Sequence, residues 1–276
     1  MDKPAGPTSH DVVARCRALL GRPKVGHTGT LDPFATGLMV LLVGRATRLA
    51  PFLSGLPKTY VAGIRLGARS ESGDPEGPIT AGGPTPGEDE LRAGLQDLVG
   101  HIEQRVPALS AVKVDGERLY AVTRRGDEVE RPVRTVVVDR ADLVSYDPMN
   151  GLAQVEFRCG SGTYVRQLAT DLGEALGCGA YCESLRRTEV GDLPVASAIP
   201  PDAVEPGCGV DPLEVMHSMP RVDLDEEGAA NVRYGRAVAA PDPGLEGTVA
   251  MACAGHLLAV GQAHGGTVRP KVVLAG

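Results

Sequence analysis

Apolar and polar positions along this chain keep changing period. Val12, Val13, Cys16, Leu19 and Leu20 recur on one helical face after Ser9, a residue type that caps helix starts, and Gly21 with Pro23 ends the run. Residues 26–37 are too rich in glycine and proline for a regular element, and the apolar run 38–43 after them predicts a strand. A short helix is predicted over 45–53. Residues 59–66 place Tyr60, Ala62, Ile64 and Leu66 on one face of a strand. An exposed loop at 70–87 leads into a helix over roughly 88–99, with Leu91, Leu95 and Leu98 inward. From Gln104 to Pro132 the chain has proline, scattered basic residues and a short helix at 119–120, the pattern of a protruding segment rather than of core. Strands are predicted near 133–144 and 152–158. Residues 160–163 turn into a helix that runs to Leu176 and stops at Gly177, and a strand follows near 182–190. Residues 194–219 have a linker's proline content. The remainder, 220–276, holds one helix at 226–232 and short apolar runs broken by glycine, and reads as a small β-rich module. Strands and helices interleave without a regular βαβ beat, which predicts the α+β class.

Composition narrows this picture. Of 276 residues, 42% are apolar and 23% charged, which excludes wholesale disorder. The apolar run at 38–43 is far short of the ~18 residues of a membrane span, and the N-terminus has no apolar signal core. The expectation is a soluble cytoplasmic protein. The cysteines are scattered without a C-x-x-C pair, and no histidine stands at zinc-site spacing from Cys178 and Cys182, so inert buried thiols are expected. Net charge is −7, yet residues 1–70 hold ten Lys and Arg against three acids. A polyanion responds to that local field rather than to the sum. Charge alone favours the blander reading, a solvated basic face.

The 26–37 segment concentrates the candidate chemistry. Asp32 precedes a proline in a glycine-rich loop and is the only acid between Asp11 and Glu71. A rigidly held, ionised carboxylate among cations can be a nucleophile or a base, or can hold an arginine; Asp-Pro by itself is far more often a turn. Zinc deaminase, Walker, G-x-G-x-x-G, G-x-S-x-G and H-E-x-x-H signatures are all absent.

Five pieces then occur in order: Lys3-Pro4-Ala5-Gly6-Pro7-Thr8-Ser9, Gly26-His27-Thr28-Gly29-Thr30-Leu31-Asp32-Pro33, Lys58-Thr59-Tyr60, Gly162-Thr163-Tyr164-Val165-Arg166 and Ser184-Leu185-Arg186-Arg187-Thr188. Together they resemble the bacterial tRNA pseudouridine(55) synthase family, TruB type, from residue 2 to the C-terminus. The resemblance implies a pseudouridine-synthase fold with a mixed, mostly antiparallel central sheet. It also implies a catalytic domain over 1–219, an RNA-clamping insertion near 104–132, and a reduced PUA-like RNA-binding domain over 220–276. Asp32 matches the family's catalytic nucleophile, Tyr60 the tyrosine that stacks on the target base and assists its proton chemistry, and Arg166 the arginine paired with the aspartate. Leu185 matches an apolar base contact, His27 a histidine at the vacated base position, and Lys3 a support of the site. Tyr164 is a second stacking platform, and Lys113 and Arg118 lie in the insertion expected to grip phosphates. The implied substrate is the T-arm stem-loop of tRNA, with no cofactor, no metal, no obligatory protein partner and a monomeric state. One departure stands out: Met1 directly precedes the first motif, where the family has a short apolar strand, so either the chain starts late or an edge strand is missing.

Two other readings are weighed. A tRNA-folding or RNA-binding module on the same scaffold would need neither Asp32 nor Arg166, and both are present. A guide-RNA-dependent synthase of the archaeal and eukaryal sister group would be expected to carry extended basic termini, which this sequence lacks.

Overall fold

The computed structural model describes residues 1–108, 110, 113–114, 116–119, 125 and 130–274. Contacts gather the chain into two compact units. One comprises Met1–Val12, Gly29–Val40 and Ser54–Pro201; the other comprises Val13–Thr28, Leu41–Leu53 and Asp202–Gly276.

The first unit is built on an eight-stranded mixed sheet. Its order is Asp2–Lys3, Thr36–Leu38, Ala180–Val190, Lys58–Leu66, Leu152–Cys159, Val133–Asp147 and Gly100–Arg105, with Leu193–Pro194 folded back on Ala180–Val190. Only the pairing of Thr36–Leu38 with Ala180–Val190 is parallel. Tyr60, Ala62, Ile64 and Leu66 are all buried. The helix Val165–Ala175 covers this sheet and sinks Leu168, Ala169 and Leu172 completely. The class is therefore α+β, with the antiparallel bias expected.

The second unit holds a five-stranded sheet in the order Arg221–Leu224, Gly247–Cys253, His256–His264, Thr267–Val273 and Val238–Ala239. The helix Glu226–Arg233, capped by Asp225 on Gly228, packs Ala229 and Val232 against Val249, Met251, Leu258 and Val268. Its β-rich character matches the expectation for the tail.

Several local expectations need correction. The helix Ser9–Leu19 is capped by Thr8, not Ser9: the Asp11 N–H donates to Thr8 Oγ1 at 3.1 Å, and the Asp11 carboxylate accepts from the Thr8 N–H at 2.8 Å. The 38–43 run is two strands. Thr36–Leu38 joins the large sheet, while Leu41–Val43 pairs with Val25–His27 in the other unit. An unbroken apolar run carries no mark of where it changes partners, which is why the pattern missed the break. These strands also take both ends of the 26–37 loop. The helix at 45–53 is a 3₁₀ run, Gly44–Leu49, followed by one α turn, Ala50–Leu53, where Pro51 has no N–H to continue the ladder. Residues 70–87 are not simply exposed. Ala68–Ser70 and Ile79–Ala81 form a hairpin, and Ser72, Gly73 and Asp74 at its turn are buried. Gln104 and Val106 are buried, against the expectation that the protruding segment starts at Gln104. Asp2–Lys3 does form an edge strand, antiparallel to Thr36–Leu38.

Candidate active site

Asp32 sits on a loop held from three directions. The buried Ser9 hydroxyl accepts from the Leu31 N–H at 2.9 Å and donates to the Leu31 carbonyl at 3.0 Å. The fully buried Lys3 ammonium donates to the carbonyls of Pro33 at 3.1 Å and Ala35 at 2.7 Å. Burial pushes the Lys3 pKa below its ordinary value, and the Asp32 charge opposes that shift. The third hold is Arg187, whose three hydrogen bonds all end on carbonyls of the same segment. Gly37, just beyond, has φ +104°, and a Cβ there would lie 2.2 Å from the Arg187 carbonyl oxygen, so only glycine fits.

Arg166 reaches the loop acid from the first turn of its helix. Nε donates to Asp32 Oδ2 at 2.8 Å and Nη2 to Asp32 Oδ1 at 3.1 Å, a bidentate fork. The guanidinium is 3% exposed whereas the Asp32 side chain is 33% exposed, so the carboxylate turns one edge to arginine and leaves another open. Behind the guanidinium lies an acid that sequence reasoning missed. Arg166 Nη1 donates to Asp74 Oδ2 and to the Ser72 carbonyl, each at 2.9 Å. Asp74 Oδ1 in turn accepts from Ser72 Oγ at 2.5 Å and from the Glu76 N–H at 3.1 Å. An aspartate in Ser72-Gly73-Asp74-Pro75 reads as a polar turn, and nothing local announces that it is buried.

Tyr60 stands opposite Arg187 on the neighbouring strand. The Arg187 guanidinium stands 6.0 Å from its ring centroid, within cation–π range. Burial raises the phenol's pKa, so it stays protonated as a donor. Leu185 pairs with Ala62, two residues from the Tyr60–Arg187 pair, and is buried on that face. Tyr164 precedes the Arg166 helix, and Gln104 clasps its backbone by donating to its carbonyl at 3.1 Å and accepting from its N–H at 2.8 Å. Lys3, Asp32, Tyr60, Tyr164, Arg166 and Leu185 all lie in the same unit. His27 ends the strand Val25–His27 in the other unit. Lys113 and Arg118 lie on the short strands Lys113–Val114 and Glu117–Arg118; their side chains fall outside the described residues. Among the described residues no cluster of three or more His, Cys, Asp or Glu could hold a metal ion, and no helix is long and apolar enough to cross a membrane.

Lys58 is the other buried cation sequence reasoning left without a role. Its ammonium donates to the carbonyls of Ser54 at 2.7 Å and Leu56 at 2.6 Å, and burial, aided by Arg187, lowers its pKa to about 8. The unfolded chain keeps that proton up to the ordinary value of 10.5. Between the two values the unfolded state binds more protons, so stability rises with pH, by roughly 1–3 kcal/mol. Lys58→Met is expected to lose this rise in urea midpoints taken across the window; an equal rise in both proteins would contradict it.

Structural similarity assigns this mixed sheet, with its loop acid forked by a buried helix arginine, to the pseudouridine-synthase fold. The chain matches a chain of the Cbf5–Nop10–Gar1 complex with a TM-score of 0.75 at 26% identity, over 99% of this chain and 83% of that one. It matches a chain of an H/ACA ribonucleoprotein bound to a substrate RNA containing 2′-deoxyuridine equally well, at 24% identity over 100% and 84%. Residues 17–165 match the TruB family pseudouridylate synthase N-terminal domain, 166–206 the tRNA pseudouridylate synthase B C-terminal domain, and 219–275 the tRNA pseudouridine synthase II C-terminal domain. The tRNA pseudouridine synthase B of Azoarcus sp. (strain BH72) is 39% identical over 100% of this chain and 93% of its own length. That of Rhodococcus jostii (strain RHA1) is 43% identical over 96% and 89%. The chain belongs to the TruB family of pseudouridylate synthases.

Proposed function

We propose that this protein isomerises a uridine in the T-arm loop of tRNA, at position 55, to pseudouridine, with Asp32 as nucleophile. The observation that carries this reading is the partly open Asp32 carboxylate forked by the buried Arg166, on a segment that Arg187 ties to the strand carrying Leu185 and to its neighbour carrying Tyr60. The reaction breaks the N1–C1′ bond, forms C5–C1′, releases the C5 proton and places one on N1. No atoms are gained or lost, and no electrons are exchanged with a partner. A looped base must be flipped to reach Asp32, at a cost of a few kcal/mol. Stacking on an aromatic returns about 1–3 kcal/mol of that. Tyr60 supplies the ring and a protonated hydroxyl for proton transfer, Leu185 an apolar contact, and Lys3 support for the loop. Tyr164 is proposed as a second stacking ring, and His27, separately, as a substrate contact. Domain roles follow the same reading, with catalysis in 1–219 and RNA contact in 220–276.

The deciding experiment is incubation with an unmodified tRNA transcript, followed by mapping of pseudouridine. A single product at position 55 supports the reading; no product, or product elsewhere, rejects it. The proposed phosphate grip by Lys113 and Arg118 has its own test. Replacing both by Glu is expected to weaken tRNA binding about tenfold or more at low salt and to flatten the salt dependence of affinity. Unchanged low-salt affinity would remove the insertion from the grip.

A further inference from the structure

The site holds more buried cations than the proposed roles use. Lys3, Lys58 and Arg187 are each less than a tenth exposed, and among the described residues none of them lies within ion-pair distance of a carboxylate. All three give their hydrogen bonds to backbone carbonyls instead. Burying a charge against neutral partners alone is unfavourable, so what these cations hold in place matters.

Arg187 spans the most. Its Nη2 donates to the Gly29 carbonyl at 3.1 Å, Nη1 to that of Thr30 at 3.3 Å, and Nε to that of Leu38 at 2.6 Å. Two of these carbonyls precede Asp32 in the chain and one follows it. The loop is also closed down on the guanidinium, since a Cβ on Gly29 would stand 3.4 Å from Nη1. On its other side the same guanidinium meets the Tyr60 ring. One planar cation therefore joins the segment that carries the acid to the residue that carries the ring.

We infer that Arg187 is a positioning residue for the isomerisation, fixing the Asp32 loop and the Tyr60 ring in one relative placement so that carboxylate and aromatic face meet the flipped base together. The inference rests on the roles proposed above for Asp32 and Tyr60. Lysine keeps the charge but not the flat fork that reaches three carbonyls at once while lying against a ring. Misplacing a reacting group by about an ångström is enough to cost roughly 10²-fold in rate.

The test compares wild type, Arg187→Lys, Tyr60→Leu and the double variant in single-turnover conversion of a tRNA transcript, with tRNA affinity measured alongside. Arg187→Lys is expected to lose roughly 10²-fold in rate with affinity within about threefold, and to lose much less when the Tyr60 ring is already gone. An Arg187→Lys variant as fast as wild type overturns the inference. So do losses that simply multiply in the double variant, or a loss confined to affinity. Should Arg187→Lys fail to fold, Arg187→Met, which removes the buried charge together with the fork, carries the same cycle. A wild-type protein that forms no pseudouridine removes both the function and this inference. An active wild type with an indifferent Arg187 removes the inference alone.

Discussion

Asp32→Asn is expected to lower single-turnover pseudouridine formation by at least about 10⁴-fold, about 5 kcal/mol in barrier, while tRNA affinity stays within about tenfold. Asparagine fills the same space but cannot act as the nucleophile. It also cannot match the fork, because Arg166 presents a donor to each Asp32 oxygen and the amide has only one acceptor. Affinity survives because phosphate contacts and stacking do not pass through the carboxylate. A rapid single-turnover assay with a parallel binding titration separates the two quantities. Turnover near the wild-type rate would refute the nucleophile assignment.

Asp74→Asn is the second large effect, expected at about 10²–10³-fold in rate with roughly 1–3 kcal/mol lost from stability. Asp74 is expected to act through Arg166, as a positioning residue. Its Oδ2 faces the Arg166 guanidinium, and its Oδ1 faces the Ser72 hydroxyl and the Glu76 N–H. Both ends therefore face donors. An asparagine amide must turn its NH₂ toward one set, leaving a donor against a donor in a buried place and freeing the guanidinium to rotate off Asp32. Single-turnover rates, tRNA affinity and urea midpoints report the three consequences separately. A variant with wild-type rate would mean that the helix alone aims Arg166.

Local pattern made much of this legible. The helix Val165–Ala175 and the strand Lys58–Leu66 announce themselves because a 3.6- or 2-residue period is imposed by burial of one face. Asp32 was visible because it is a lone acid in a glycine-rich loop, and the five ordered motifs supplied its expected partner. Arg187 left a faint trace: it falls in phase with Leu185 on a buried strand face, where a charge is out of place. Ser9 was read as a cap because serine suits both tasks, and only the nearness of Leu31 shows which one it performs.

Local pattern and motif order were enough for the α+β class, most strands and helices, and the pairing of Asp32 with Arg166, because each depends on neighbouring residues or on motifs read in sequence. Only the tertiary structure decided that Asp74, 92 positions from Arg166, completes the buried arginine's shell, and that Arg187 spans the Gly29–Leu38 segment and Tyr60. Burial and charge pairing are set by whichever segments the sheet register brings side by side, and no local periodicity encodes that meeting.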